Sequence, residues 1–334
     1  MRKALACIVF VGIIFLLSGF YRSDVKRIVK AGELKEWINF ISSDEMKGRA
    51  NGSPEMHTAS IWLTDKFKEF GLKPVLQNGE YVQDYSFVSR QDSVNERNVI
   101  GMIEGKDSLL NDTYIILSAH FDHIGIHKGT GVDSIYNGAD DNAAGICTIL
   151  GIAKTIKKSG WKPGRSLIFA AFSGEESGIR GSRYFVKNSP VSLQNIYVNI
   201  NFEMTGHSEY LGKQRYYMTG CNISDLDDLI GEYNKNSDWK LIDTIAIAKR
   251  LFYASDNIAF SRISVAEGIT SGIPGGTFAT TALADYIHSP RDEGSLFDYE
   301  NMEGLVDYFS GLIMWLSENK AEIQFTDPSF VRIK

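Results

Sequence analysis

The chain has 334 residues, a net charge of −6 and a hydrophobic content of 43%, an ordinary composition for a globular protein. The acidic balance and the lack of a basic stretch argue against nucleic acid as a partner. The three cysteines include no Cys-x-x-Cys pair, which excludes a thiolate zinc site and a dithiol redox site.

The N-terminal segment, residues 1–22, departs from this composition. Arg2 and Lys3 precede an apolar run that ends near Phe20. A short basic region followed by such a run is typical of a secretory signal peptide or a signal anchor, whereas a soluble helix carries a polar face. We therefore expect an exported protein, periplasmic or extracellular, that contacts a membrane only through this segment if the segment stays uncleaved. Residues 23–334 are expected to form a single domain.

Hydrophobic periodicity along the rest of the chain predicts helices alternating with strands. The predicted elements are, in chain order, helices at 33–41 and 55–70, strands at 98–103 and 114–118, a helix at 142–158, a strand at 166–172, a helix at 181–187, a strand at 196–202, a helix at 225–233, a strand at 263–266 and a helix at 300–317. The run at 166–172 is apolar almost throughout, as in a strand buried on both faces. This alternation predicts an α/β three-layer sandwich with a central mixed, mostly parallel sheet flanked by helices.

The first candidate site residues follow the predicted strand at 114–118. Ligands in open α/β sheets collect beyond the carboxyl ends of the strands. His120 and Asp122 are two residues apart, so strand alternation places them on the same side. A neutral imidazole is a good zinc ligand, and a carboxylate on its other nitrogen fixes its tautomer. We predict that His120 binds metal and that Asp122 orients it, and we interpret His123 and His127 as loop residues.

Three consecutive Asp and Asn residues open the predicted helix at 142–158. Such residues are favoured at a helix N-terminus, but capping alone does not need three of them. A carboxylate has two oxygens and can bridge two metal ions roughly 3.5–4 Å apart. We predict that Asp140 forms this bridge and that Asp141 and Asn142 support the loop.

Carboxylates and a histidine follow the later strands. Two adjacent Glu residues at the end of a buried strand are costly unless they are paired or bind metal. We predict Glu176 as a ligand and Glu175 as the general base. Glu203, at the end of the strand at 196–202, and His288, just before a turn, complete the predicted set of metal ligands.

Taken together, these segments resemble the co-catalytic zinc aminopeptidase family, which includes secreted bacterial leucyl aminopeptidases, aminopeptidase Y and the glutamate carboxypeptidases. The motifs are Ala-His-Phe-Asp at 119–122, Gly-Ala-Asp-Asp-Asn-Ala-Ala-Gly at 138–145, Gly-Glu-Glu-Ser-Gly at 174–178, Asn-Phe-Glu-Met at 201–204 and Ile-His-Ser-Pro-Arg-Asp at 287–292. The resemblance extends over about 34–313.

The resemblance implies two zinc ions per chain and a defined set of roles. Asp140 would bridge both ions, Glu176 and His288 would bind one of them, and His120 and Glu203 would bind the other. Glu175 would be the base and Asp122 the orienting residue.

Two residues depart from the pattern of the family. Most members have Asp where Glu203 stands, and Asn257 replaces the His of a common Ser-Asp-His segment. The inserted domain of the larger, receptor-like members is absent.

The implied activity is removal of residues from peptides with a free N-terminus. Three alternatives remain open. One is a glutaminyl cyclase-like acyltransferase with a single zinc, another is a carboxypeptidase or dipeptidase of the same family, and the third is an exported binding protein that has lost catalysis.

Overall fold

The computed structural model describes residues 27–89, 92–127, 133–263, 272–281, 284–327 and 329–330. Ten strands and eight α-helices are present in these ranges. The strands are β1 (Val82–Ser89), β2 (Asp92–Ile103), β3 (Tyr114–His120), β4 (Gly125–Ile126), β5 (Ile135–Tyr136), β6 (Ser166–Phe172), β7 (Ile196–Phe202), β8 (Arg215–Met218), β9 (Lys240–Leu241) and β10 (Gly275–Ala279). The helices are α1 (Ala31–Ile41), α2 (Pro54–Phe70), α3 (Gly145–Ser159), α4 (Arg180–Lys187), α5 (Leu226–Asn234), α6 (Ala248–Leu251), α7 (Asn257–Ser261) and α8 (Tyr299–Glu318).

Eight of the strands form one mixed sheet in the order β1-β2-β6-β3-β7-β10-β8-β9, and β4 pairs with β5 separately. The central strands β6, β3, β7 and β10 run parallel, while β1, β2 and β8 pair antiparallel with their inner neighbours. The parallel centre brings the carboxyl ends of β6, β3 and β7 to the same edge, which is where the predicted ligands follow their strands.

Apolar side chains cover both faces of this sheet. Along β3, Ile115 and Leu117 pack into the cluster that contains side chains of α1, α2, α3 and α8. Ile116 points to the opposite face and packs with side chains of α4 and α7. Because successive side chains of a strand alternate between faces, both faces are buried, and the predicted three-layer α/β architecture is confirmed.

Local signals in the sequence fix the helix ends. In α2, Ser53 Oγ accepts a hydrogen bond from the Met56 N–H, and Pro54 occupies the first turn. Both are favoured at a helix start. Gly71 ends the helix with a left-handed φ of 76°, the conformation that glycine adopts at helix C-termini without steric cost.

The strand predicted at 263–266 lies outside the described residues except for residue 263. In the sheet, β7 lies between β3 and β10. Strand β10 begins with Gly275 and Gly276, where an added Cβ would lie 2.4 Å from the Asn199 carbonyl oxygen and 2.2 Å from that of Thr219. Close approach of backbones therefore requires glycine here, and glycine hides the apolar pattern from which strands are predicted.

No described helix combines the length and the apolar content that crossing a bilayer requires. The segment predicted to direct export lies outside the described residues.

Candidate metal centre

Three adjacent parallel strands deliver side chains to one point of the sheet edge. His120 is the last residue of β3, Glu175 and Glu176 follow β6, and Glu203 follows β7. The β3–β6 pairing sets His120 opposite Phe172, so the loop after β6 starts beside the histidine. The sheet register thus brings together four of the residues predicted from the sequence.

His120 is held with one ring nitrogen toward carboxylates. Its Nε2 lies 3.2 Å from Asp141 Oδ1 and 3.8 Å from Glu203 Oε1. Its Nδ1 lies 3.2 Å from the backbone carbonyl oxygen of Asp122 and 3.6 Å from the Asp122 carboxylate. An N–H donated from Nδ1 to this carbonyl leaves the lone pair of Nε2 available to a metal ion.

The carboxylate of Asp122 mainly orients another part of the site. Its two oxygens accept hydrogen bonds from the backbone N–H groups of Glu175 and Glu176, each at 3.1 Å. The side chain of Asn51 donates a third hydrogen bond at 2.8 Å. Asp122 is completely buried, so it fixes the loop that carries the predicted base and ligand.

The carboxylate that faces both His120 and His288 is that of Asp141, whereas the sequence predicted Asp140 in this position. The two oxygens of Asp140 accept hydrogen bonds from Gly206 N–H and from Tyr286 Oη–H, both at 2.8 Å. The Asp140 side chain therefore faces Gly206 and Tyr286. Asp141 leaves helical dihedral angles (φ −109°, ψ 87°), and its side chain turns toward His120 instead.

The two carboxylate oxygens of Asp141 face different histidines. Oδ1 lies toward His120, and Oδ2 lies 3.1 Å from His288 Nε2 and 3.9 Å from His123 Nδ1. Glu176 Oε1 lies 3.0 Å from each of these two histidine nitrogens. Single ligand atoms of His123, Asp141, Glu176 and His288 all lie within 4.8 Å of one another.

The spacing of these atoms fits a zinc ion. Zinc binds histidine nitrogen and carboxylate oxygen at about 2.0–2.2 Å, so tetrahedral ligand atoms are roughly 3.3–3.6 Å apart. Four of the separations lie at 3.0–3.9 Å and bracket that value, and every pair in the group lies within 4.8 Å. Imidazole and carboxylate are also ligand types that zinc accepts.

The pKa values of groups in the centre are shifted because carboxylates and histidines lie close together in a buried environment. Hydrogen bonds that His288 donates to the carboxylates of Asp141 and Glu176 raise its pKa to about 10. Burial raises the pKa of Glu203 to about 7 and holds that of Glu175 well above its usual value. The charge of Glu175 also interacts with those of His120 and Glu203, so this carboxylate lies close to both residues.

The polar layer behind Glu203 contains residues that sequence reasoning left without a role. Ser255 Oγ donates a hydrogen bond to Glu203 Oε1, and Asn201 Nδ2 donates to Ser255 Oγ at 2.8 Å. Asn257, which replaces the histidine of the related pattern, is buried and donates from Nδ2 to the Phe252 carbonyl oxygen. Its Oδ1 accepts from Thr277. Asn257 therefore supports this polar layer and lies outside the group of metal donors.

Sequence reasoning also missed Asp141, His123 and Tyr286. Asp141 was visible as a further carboxylate within the motif at 138–145, and His123 as an imidazole directly after the motif at 119–122. The directions of both side chains depend on dihedral angles and long-range contacts. Tyr286 lies two residues before His288, and nothing in the spacing indicates that it binds Asp140.

Comparison with known proteins identifies the family of the chain. The chain matches the model of peptidase family M28 over residues 98–313. A glutamate carboxypeptidase 2 homolog from Caenorhabditis elegans is 32% identical over 173 residues, which are 49% of this chain and 20% of that protein. The chain spans less than half the length of the curated relatives it matches.

Solved structures show a shared fold. A zinc aminopeptidase from Bacillus subtilis has a TM-score of 0.64 and 14% identity, covering 91% of this chain and 98% of that one. The glutaminyl cyclase of Porphyromonas gingivalis has a TM-score of 0.61 and 16% identity, covering 87% of this chain and 99% of that one. At these identities the two structures establish only the fold. The family match covers well over half of the chain, so the protein belongs to peptidase family M28.

Proposed function

We propose that this protein is an exported zinc aminopeptidase that binds two ions and removes residues from peptides with a free N-terminus. The observation that carries the proposal is the position of Asp141. Its Oδ1 lies 3.2 Å from His120 Nε2 and its Oδ2 lies 3.1 Å from His288 Nε2. One carboxylate thus faces two separate donor sets, as a bridging ligand must.

The residues that would hold the ions divide between these two sides. His120 and Glu203 lie on the Oδ1 side, and Glu176 and His288 lie on the Oδ2 side. Zinc, when bound, lowers the pKa of a water molecule and polarises the scissile carbonyl group.

Glu175 has the properties of the general base. It lies beside the donor atoms, and burial raises its pKa, which brings a carboxylate closer to the range in which it can accept and return a proton. In the proposed reaction Glu175 takes a proton from the attacking water and passes it to the amine of the leaving group. The hydrogen bond from its own N–H to Asp122 holds the loop in place during both transfers.

The charge of the centre does not account for the direction of cleavage. Asp141, Glu176 and Glu203 would be neutralised by the ions they hold, so the preference for a free N-terminus rests on the resemblance of the motifs to zinc aminopeptidases. The side chain of His288 is 49% exposed, so the centre can be reached from solvent there. Export is supported by the basic and apolar N-terminal sequence.

A single-zinc glutaminyl cyclase-like acyltransferase is the second candidate. The group formed by His123, Asp141, Glu176 and His288 is sufficient by itself for one ion, and a cyclase shares the fold. Zinc content per chain separates the two functions. Two ions support the aminopeptidase, whereas one ion together with cyclisation of N-terminal glutamine supports the cyclase.

The decisive experiment is to incubate the purified, zinc-loaded protein with peptides that are free at both ends, blocked at the N-terminus or blocked at the C-terminus. We expect stepwise release from the N-terminus, unaffected by a C-terminal amide and abolished by N-acetylation. Cleavage that requires a free C-terminal carboxylate would instead identify a carboxypeptidase, and cleavage confined to dipeptides would identify a dipeptidase. No turnover of any peptide would contradict the proposal.

A further inference from the structure

His123 is a buried imidazole without ordinary hydrogen bonds. Its side chain has no solvent exposure, and neither ring nitrogen has a hydrogen-bond partner among the described residues. Burying a polar group without a partner is costly, and most such groups in proteins are satisfied. The position of this ring therefore needs an explanation other than packing.

The Nδ1 atom of the His123 ring faces carboxylate oxygens of Glu176 and Asp141. His123 Nδ1 lies 3.0 Å from Glu176 Oε1 and 3.9 Å from Asp141 Oδ2. The 3.0 Å contact does not meet the geometry of an ordinary hydrogen bond, and it is an ion pair only if the imidazole is protonated. When Nδ1 carries no proton, its lone pair and the carboxylate oxygen repel each other unless a metal cation lies between them. Both atoms are placed as two ligands of one ion would be.

The surroundings hold the ring in this orientation. Gly138 packs against it so closely that an added Cβ would lie 2.4 Å from the His123 Cγ atom. The backbone N–H of His123 donates a hydrogen bond to the Arg49 carbonyl oxygen at 3.1 Å. The imidazole ring packs edge-on against the ring of His288, with the centroids 5.5 Å apart. These contacts restrict rotation of the imidazole away from the carboxylates.

We propose that His123 is a fourth protein ligand, through Nδ1, of the zinc ion held by Asp141, Glu176 and His288, and that the two ions are consequently inequivalent. This inference rests on the proposed two-ion centre and refines it. One side has four protein donors, a number typical of closed zinc sites, while the His120 side has three, a number typical of sites that keep a position open for water or substrate.

The inference predicts different affinities on the two sides. Zinc on the His123 side should resist chelators, and zinc on the His120 side should exchange. Titration of the full chain with zinc in competition with a chromophoric chelator measures both dissociation constants. For the wild type we expect one tight and one weaker site.

The test variant is His123→Ala, with His123→Gln as a second variant of closer volume should the first fold poorly. Loss of residues that merely support a ligand costs about 10–100-fold in metal affinity. We therefore expect loss of a direct ligand to weaken the tight site by at least about 100-fold, with little change at the weaker site. The rise in Tm on adding zinc should shrink accordingly, and the visible absorption of the cobalt(II)-substituted protein should change.

The matched control is His57→Ala. His57 is exposed and its Nδ1 contacts Arg97 at 2.6 Å, so its removal should alter neither affinity nor the cobalt spectrum. If His123 only packs, its variants lower the Tm of the chelator-treated protein and keep both wild-type affinities and the wild-type cobalt spectrum. That result overturns the inference. An inactive wild type that still shows the two affinities would overturn the peptidase function alone.

Discussion

The carboxylate of Asp122 accepts a hydrogen bond from the backbone N–H of Glu175 at 3.1 Å. The neighbouring Glu176 N–H and the side chain of Asn51 donate to the same carboxylate. An ionised carboxylate only accepts hydrogen bonds, so it can satisfy all three donors at once. One residue of the His120 strand end thus places both the base and a ligand on the neighbouring loop.

Replacing Asp122 with Asn should disturb this loop. The introduced amide would turn an N–H₂ group toward at least one of the three donors, and one hydrogen bond would become a repulsion. For Asp122→Asn we expect zinc affinity and kcat each to fall by about 10–100-fold, the range seen for residues that support metal ligands. Zinc titration and steady-state kinetics measure the two effects. The exposed Asp65→Asn on α2 is the control, and wild-type values for both quantities would show that Asp122 does not hold the loop.

Removing the proton acceptor should separate chemistry from metal binding. Glu175→Gln keeps the shape of the side chain and the backbone hydrogen bond to Asp122, because that bond comes from the main chain. We expect a loss of about 10²–10⁴ in kcat, with zinc content unchanged. Turnover near that of the exposed control Glu36→Gln would rule out the role of base.

The sequence was sufficient to predict which strand ends build the centre. β3, β6 and β7 are apolar runs whose pattern survives in the fold; His120 ends β3, Glu203 directly follows β7, and Glu176 lies in the loop after β6. The register of the sheet brings these strand ends together. The position of Glu176 also depends on the hydrogen bond from its N–H to Asp122.

The sequence could not distinguish Asp140 from Asp141. Both precede a helix, and helical periodicity assigns no direction where Asp141 adopts non-helical dihedral angles. His123 was missed for another reason. It lies beyond the end of β3, and its place is set by a bridge to Ala50, which is distant in the sequence. Contacts of this kind leave no local pattern.

The two adjacent aspartates give a direct test of which carboxylate is shared. Asp141 faces both donor sets, while Asp140 accepts hydrogen bonds from Gly206 and Tyr286. Asp141→Asn should therefore abolish or strongly reduce binding of both ions. Asp140→Asn should keep most of the zinc and mainly lower Tm, since it loses one buried hydrogen-bond acceptor. Zinc analysis after gel filtration decides between them, and the reverse order of effects would restore Asp140 as the bridge.

Arg49 should be indispensable to the stability of the loops around the centre. Its guanidinium donates hydrogen bonds to four buried carbonyl oxygens, and burial lowers its pKa to about 10. The acceptors belong to Ile41, Phe121, Asn137 and Gly138.

Lysine cannot reach all four acceptors from one nitrogen, so Arg49→Lys leaves carbonyl groups unpaired at about 1–3 kcal/mol each. We expect a loss of about 2–4 kcal/mol in the free energy of unfolding, measured by urea denaturation. The exposed Arg183→Lys should change it by less than about 0.5 kcal/mol. A similarly small loss for Arg49→Lys would contradict the role derived from these contacts.

Asp307 on α8 should make stability depend on pH away from the metal centre. Its Oδ1 is buried without a hydrogen-bond partner among the described residues, and burial raises its pKa from 3.8 to about 6, with Glu303 adding to the effect. Between these two values the folded chain binds more protons at this position than the unfolded chain does. Its contribution to stability therefore falls as pH rises through the window, and the loss persists at neutral pH.

Asp307→Asn removes the charge, so the variant should gain stability relative to the wild type above pH 6 and lose the advantage below about pH 4. We expect a rise in Tm of the order of 2 °C at pH 8, measured by calorimetry at pH 4 and pH 8 in chelator so that zinc does not contribute. Asp65→Asn, on an exposed helix surface, should show no such difference between the two pH values. If the Tm difference between Asp307→Asn and the wild type is the same at both, the Asp307 carboxylate does not titrate as its burial requires.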